Sequence, residues 1–417
     1  MRTTKIKKIR NIGKKKTLDL EVGHSNHNFY AEGLVTSNSH SISYATLSAW
    51  TLYLKWNYPK EFFLALLNMS LKEPKPHLEI SKITKELSHF GTQLLPPDLL
   101  KSEIAFAIEG KNIRFGLAAV KGIGHKKYDT VEKLRDIVEG KTISNKFELF
   151  LAAKEVGISI GALSALIQAG AINSIILQDK PRCYAVLEAQ VFNLLTPREK
   201  RYVLQFTGEF DNNLFELIRV CVEEDRKDEG GKVLIFKPTR WKILAEGQSM
   251  EEDGGTIQRK SVRYLEIYKR NREHNRLANW FFEKELLGFS YSDSLFEILK
   301  EEQRELKPLS EFDKMEDRER GIFCGSLSEV KRSKSKAKNA DMLKLTLDDS
   351  DASLKCIFYD WSFNKWIDRN TPTNGKIVLP EDGNIVIAKG SRSNDIIFLS
   401  DLSILDRKAY LKLSDLK

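Results

Sequence analysis

No stretch of the chain approaches the roughly 20 consecutive apolar residues that a membrane span requires. The N-terminus, MRTTKIKKIRNIGKKK, is basic but has neither an apolar core nor a small-residue cleavage site. Neither a membrane helix nor a secretory leader is expected, and the chain reads as cytoplasmic. Only four cysteines occur in 417 residues, at Cys183, Cys221, Cys324 and Cys356, with no Cys-x-x-Cys pair among them. That scatter argues against a disulfide framework and a zinc ribbon. The seven histidines include no His-Glu-x-x-His spacing. Long-period repeats are also missing, apart from a doubled glycine hairpin.

What is present begins with charge. Sixty-seven Lys and Arg against 58 Asp and Glu give a net charge of +9, which favours a polyanionic partner or, equally, a basic solubility surface. A length of 417 residues allows roughly two to four domains with their own cores.

Residues 1–38 are rich in β-formers and turns. In TLDLEVG, Leu18, Leu20 and Val22 alternate with Asp19 and Glu21, as in a half-buried strand. HNFYAEG and LVTSN predict two short strands around a Glu-Gly turn. So short a piece cannot bury a core alone. The pattern then turns helical, with Pro59 placed where one helix ends and the next starts. HLEISKITKELSHFG predicts a further helix stopping at Gly91. Two Gly-punctuated helical pairs occupy 111–175. Charge-rich helical sequence follows to about 310, interrupted by EEDRKDEGGK and GQSMEEDGG, which read as solvated loops. From Gly321 the chain becomes β again.

The ordered set TLDLEVGHSNHNFYAEG, LVTSN and then Ser resembles the C-terminal fragment of a split intein. The resemblance covers residues 1–38 and implies a β-rich HINT-type piece that self-processes without a cofactor. An Asn amide can attack its own carbonyl and cut the chain after Asn38. The Ser39 hydroxyl can accept an acyl group and the freed amine recapture it, each step being intramolecular. The family pattern gives His27 a proton-transfer role and Asp19 an orienting or proton-tuning role. Ser37 stands where many inteins have His, which increases the burden on His27. The simpler reading is a hairpin with a polar tip and a surface histidine. The first 16 residues carry eight Lys or Arg and no acid, so the separate N-terminal half is expected to be acidic and its association salt-sensitive.

Downstream, SHSISYATLSAWTLYLKWNYPKEFFLALLN, LLPPDLLKSEIAFAI, IRFGLAAVKGIG and ANWFFEKELLGFSYSDSLFEIL resemble, in order, passages of the bacterial replicative DNA polymerase III α subunit. These imply the end of a helical fingers domain (39–110), a tandem helix-hairpin-helix region (111–175), a connecting region (176–310) and a C-terminal OB-fold barrel (311–417). The fold class expected is therefore multidomain α+β. Ser39 becomes the first retained residue, so no linker is needed after Asn38.

The candidate DNA contacts follow from residue type. In VKGIG, Lys121, Gly122, Ile123 and Gly124 suit a tight hairpin between two helices whose backbone N–H groups approach a phosphate, with Lys126 and Lys127 adding charge. The second unit, ISIGALSALIQAGAINSI, is mostly apolar and reads as packing. KRSKSKAKNADM predicts a basic loop between strands, with Lys331, Arg332, Lys334 and Lys336 suited to single-stranded backbone. Phe358, Tyr359 and Trp361 are candidate stacking residues, Phe358 and Tyr359 on opposite faces. His40 and Ser41 are placed by the resemblance near nucleotide or template, or else serve helix capping by Ser41 or Ser43. DNNLFEL has the Leu214–Phe215 pair of a clamp-binding peptide but no leading Gln, and reads better as a core helix. A sliding clamp remains a partner that the resemblance implies.

A polymerase palm needs closely spaced aspartates holding two metal ions. Asp348, Asp349 and Asp351 read as a turn instead. The Mg2+ site is therefore expected on a separate N-terminal polymerase–intein fragment. Joined to it, this chain would act on primer-template and single-stranded DNA. The alternative is a non-enzymatic DNA-binding subunit with a non-splicing β-appendage.

Overall fold

The computed structural model describes residues 28–31, 34–37, 39–141, 143–176, 182–214, 216–217, 275–300, 305–334, 341–349, 352–370 and 379–405. They fall in two units, residues 1–62 and 63–417. In the first, β1 (Asn28–Ala31) and β2 (Leu34–Ser37) pair antiparallel, with Asn28 opposite Ser37 and Ala31 opposite Leu34. Helix α1 (Ser39–Asn57) starts two residues beyond β2. Ser41 and Ser43 therefore lie inside the helix, which corrects the capping role considered for them.

Apolar residues recur on every side of α1. Tyr44, Leu47, Trp50, Leu52, Tyr53, Leu54 and Trp56 are all exposed, Trp56 to 78%. Pro59 then opens α2 (Pro59–Ser70), where its missing N–H costs nothing.

The second unit begins with the buried face of α2, Phe63 and Leu67, the Phe63 ring meeting Phe90 edge-on. Helix α3 (Pro76–Ser88) buries Ile80 and Leu87, and the chain leaves it through Gly91 at φ +68°. A small sheet follows, with β5 (Asn112–Arg114) between β3 (Leu94–Leu95) and β4 (Ala107–Glu109). Next come a 3-10 turn (Leu117–Ala119), α4 (Gly124–Gly140), α5 (Lys146–Glu155), α6 (Ile160–Gln168), α7 (Asn173–Ile176), α8 (Arg182–Leu194) and α9 (Pro197–Phe206). Asn145 caps α5, Ser159 caps α6, and Thr196 with Glu199 forms a capping box on α9. Helix α6 buries every residue from Ala162 to Ile167. Leu214 and Leu217 of DNNLFEL are fully buried, as a core segment requires.

Helix α10 (Asn275–Leu287) explains the spacing Glu283-x-x-x-Leu287-Gly288. The Glu283 carboxylate is fully buried and accepts from Arg182 Nη1 at 2.7 Å, Ser290 Oγ at 2.8 Å and the Tyr291 and Ser292 N–H groups at 2.8 and 3.0 Å. The Ser292 hydroxyl donates to it as well. Arg182 also reaches the Gln168 carbonyl and the Tyr291 hydroxyl. Leu287 is buried, and Gly288 has φ +91° with the His77 carbonyl oxygen 2.3 Å from where a Cβ would sit. Only glycine fits there. A second buried pair, Lys146 with Glu188, joins α5 to α8.

Helix α11 (Leu295–Leu299) leads to a closed barrel built from β6 (Arg320–Lys334), β7 (Asp341–Asp348), β8 (Ser353–Tyr359), β9 (Ile385–Ser393) and β10 (Ile396–Leu405). Around the barrel the order is β10-β8-β7-β6-β9, with β8 and β10 parallel and the other pairs antiparallel. Helix α12 (Asp360–Asn370), unanticipated in the sequence, lies between β8 and β9. It seals the barrel with Phe363 and Trp366, whose Nε1–H donates to the Leu402 carbonyl at 2.6 Å. Phe358 is fully buried against both rings; it fills the core and cannot stack a base. Asp349 accepts from the Leu295 and Phe296 N–H groups and so caps α11. Lys85 on α3 pairs with Asp348 at 3.0 Å, tying the helices to the barrel.

Two measurements check this packing. Replacing Glu283 by Ala strands Arg182 without its buried counter-charge, and chemical denaturation is expected to show a loss of about 3–5 kcal/mol. Lys200 lies over the Phe192 ring, and burial, reinforced by Lys154, lowers its pKa from 10.5 to about 8. The unfolded chain therefore binds more protons between those values, so stability should rise with pH from about 8 to 10.5. Lys200→Met should remove that rise in melts taken across the same range.

Candidate nucleic-acid interface

The first glycine hairpin joins a single 3-10 turn to α4, rather than two full helices as expected. Gly122 at φ +97° and Gly124 at φ +61° make the reversal, while Ile123 is buried and donates its N–H to the Val120 carbonyl at 3.0 Å. Helix α10 braces it: the Lys121 N–H donates to the Leu286 carbonyl at 3.0 Å, and Lys121 Nζ lies 3.4 Å from Glu285. Lys127 Nζ donates to the Gly122 carbonyl at 2.9 Å. Part of the charge assigned to anion contact therefore also shapes the loop. Lys126 falls in the first turn of α4, and no side chain caps that helix. Its first-turn N–H groups thus point out beside Gly122 and exposed Lys121, an arrangement suited to a phosphate. Burial, followed by the nearby Lys121 charge, lowers the pKa of His77.

The second hairpin differs. Gly157 turns at φ +87°, but Ser159 already fills the N-terminus of α6. A Cβ on Gly122 would meet Ala165 of α6 at 3.9 Å, so the first hairpin rests on the second.

At the barrel, β6 extends to Lys334, so Lys331, Arg332 and Lys334 are strand residues, a correction to the loop expected there. Lys336 lies outside the described residues. Lys331 stands directly opposite Lys344, and Arg332 pairs with Asp341 at 3.3 Å. Like charges across a strand pair are unfavourable unless a counter-charge arrives. Tyr359 is half-buried; Trp361 is exposed with Lys365 Nζ 4.8 Å from its ring centre.

Near the other candidate site, Ser37 ends β2, while Ser39, His40 and Ser41 open α1. Asp19, His27 and Asn38 lie outside the described residues. Among the described residues no group of three or more His, Cys, Asp or Glu could hold a metal ion, and no helix is long and apolar enough to cross a membrane. The bracing by Glu285 and the Glu283 cluster were not foreseen. Their one sequence signal was the Glu-x-x-x-Leu-Gly spacing.

Residues 91–181 match the family model described as a helix-hairpin-helix motif. The chain is also similar to curated proteins named DNA polymerase III subunit alpha. That of Aquifex aeolicus is 36% identical over 142 residues, 33% of this chain and 11% of the relative. That of Thermus aquaticus is 30% identical over 152 residues, 36% and 12% respectively. That of Halalkalibacterium halodurans is 27% identical over 213 residues, 50% and 17%. The matched region thus spans less than a fifth of each of these relatives. The similarity supports a C-terminal polymerase III α part that includes the hairpins.

Removing the hairpin cations should act uniformly on duplex sequences. Lys121→Ala with Lys127→Ala is expected to weaken duplex binding and reduce the slope of log K against log salt by roughly 1–2, as measured by anisotropy titrations over a salt series.

Proposed function

We propose that residues 39–417 are the C-terminal part of a DNA polymerase III α subunit, and that residues 1–38 splice it onto a separate N-terminal polymerase–intein fragment. The observation that carries this reading is α1. A helix carrying this many large apolar side chains belongs against a partner surface, yet its Trp50 and Trp56 are exposed to 64% and 78%. It begins immediately after the Asn38–Ser39 junction. The occupant we assign to that surface is the fragment bearing the rest of the polymerase, because the similarity covers so little of each relative.

At the junction, the Ser39 hydroxyl takes the acyl group from the N-terminal fragment. The Asn38 amide then closes on its own carbonyl and releases the Ser39 amine. That amine recaptures the acyl group as an amide, and His27 moves the proton. Asp19 orients or tunes these groups and Ser37 replaces a second histidine. No cofactor enters. Template-directed synthesis then takes place in the joined product, with Mg2+ held by the fragment's palm aspartates. The barrel is read as an OB fold. Its strand order, 1-2-3-5-4 from β6, and the helix between the third and fourth strands support that reading. DNA is the partner of barrel and hairpins; a sliding clamp stays an implied partner only.

Mixing the chain with the N-terminal polymerase–intein fragment should release a peptide ending at Asn38, detected by mass spectrometry. Asn38→Ala should block release and normal ligation, while Trp50→Asp with Trp56→Asp should weaken docking at least tenfold. The competing reading, a DNA-binding subunit with an inert β-appendage, requires salt-dependent DNA binding and no change in mass.

A further inference from the structure

The outer wall of the barrel carries a feature that neither the Gly122 hairpin nor the basic end of β6 accounts for. Strand register defines it. Lys344 stands opposite Ile357, Ile357 opposite Phe398, Phe398 opposite Ser391, and Ser391 opposite Arg320. Their neighbours along the strands, Leu343, Leu345, Cys356, Phe358, Ile397 and Leu399, are all buried in the barrel core. The row therefore faces outward. At its middle the Phe398 ring is 40% exposed beside half-buried Ile357.

Next to that ring lies a cleft of about 550 Å³, lined by Ser391, Arg320, Lys389, Lys307, Ser400 and one acid, Glu305. Lys307 is neutralised by Glu319 at 2.6 Å. Arg320 and Lys389 have no carboxylate partner among the described residues. A β-bulge between Leu399 and Asp401 swings Ser400 to the cleft, where its hydroxyl donates to the Lys389 carbonyl at 3.2 Å.

An exposed ring beside cations that form no ion pair among the described residues, with hydroxyls between, matches one chemistry. A base can lie on Phe398 while a phosphate reaches Arg320, two strands away at about 10 Å, and Lys389 on the strand between them. A duplex keeps its bases stacked on one another and cannot offer one to the ring. We propose that the β9–β10 wall binds single-stranded nucleic acid, stacking a base on Phe398 and holding phosphate with Arg320 and Lys389. This rests on the nucleic-acid reading of the barrel and adds Phe398 to Tyr359 and Trp361 as its aromatic contacts, Phe358 being buried in the core.

The test titrates the full chain into fluorescein-labelled oligo(dT) of twelve nucleotides. Phe398→Ala should weaken binding roughly 5- to 100-fold, and Phe398→Tyr should retain it. Arg320→Ala with Lys389→Ala should lower the salt slope by about 1.4. Both effects should persist in the Lys121→Ala, Lys127→Ala background. Unchanged affinity in a Phe398→Ala protein with the parent's circular dichroism and melting temperature overturns the site. An unchanged salt slope in the Arg320/Lys389 variant also overturns it, and that pair keeps the test decisive if Phe398→Ala fails to fold. Splicing with Phe398-independent oligo(dT) binding removes this site alone. Phe398-dependent binding without splicing or ligation removes the split-polymerase reading alone.

Discussion

One buried carboxylate organises the second unit. Glu283 would be prohibitively costly in an apolar interior if left alone, but five donors converge on it. They come from the start of α8 and from α10's own following loop, and Arg182 and the Tyr291 hydroxyl also donate to the Gln168 and Ala169 carbonyls at the end of α6. Because the same helix also carries Glu285 and Leu286 against the hairpin and leads to Gly288 against α3, its placement fixes several surfaces together. A hydrophobic contact in this position would allow sliding. A fully bonded acid does not.

The cations divide by what surrounds them. Lys146, Arg182 and Lys85 are committed to internal acids and hold elements together. Lys121 and Lys127 do both kinds of work, shaping the Gly122 turn while keeping positive charge at an uncapped helix start. Lys331 and Lys344 face each other across two strands, where mutual repulsion makes an arriving polyanion welcome. Each internal pair cancels one acid, so the net charge of +9 is left to the remaining cations.

Much of this architecture was legible in local sequence signals. Pro59 marked the α1–α2 break, the Glu-Gly turn marked the β1–β2 hairpin, and the return to β-type sequence from Gly321 marked the barrel. The misses share a cause. Alternation assigned Phe358 and Tyr359 to opposite faces correctly but could not say which face was the core. The inside was decided by α12, whose WSFNKWIDRN sequence looks polar until Phe363 and Trp366 are seen turning inward. Likewise KRSKSK has little strand propensity by itself and becomes strand through pairing with β7. Phe398 escaped notice because an aromatic in a barrel strand is usually interior, and only register shows it outside. The Glu283 cluster depends on partners about a hundred residues apart, beyond what local patterning carries.

Helix α1 has a consequence for life inside a cell. A newly made chain displays a greasy, tryptophan-bearing rod before any counterpart reaches it. Such surfaces draw chaperones, proteases and one another, so an orphaned copy is a short-lived one. If the fragment proposed above is what covers that rod, survival of the protein becomes a matter of matched supply between the two polypeptides.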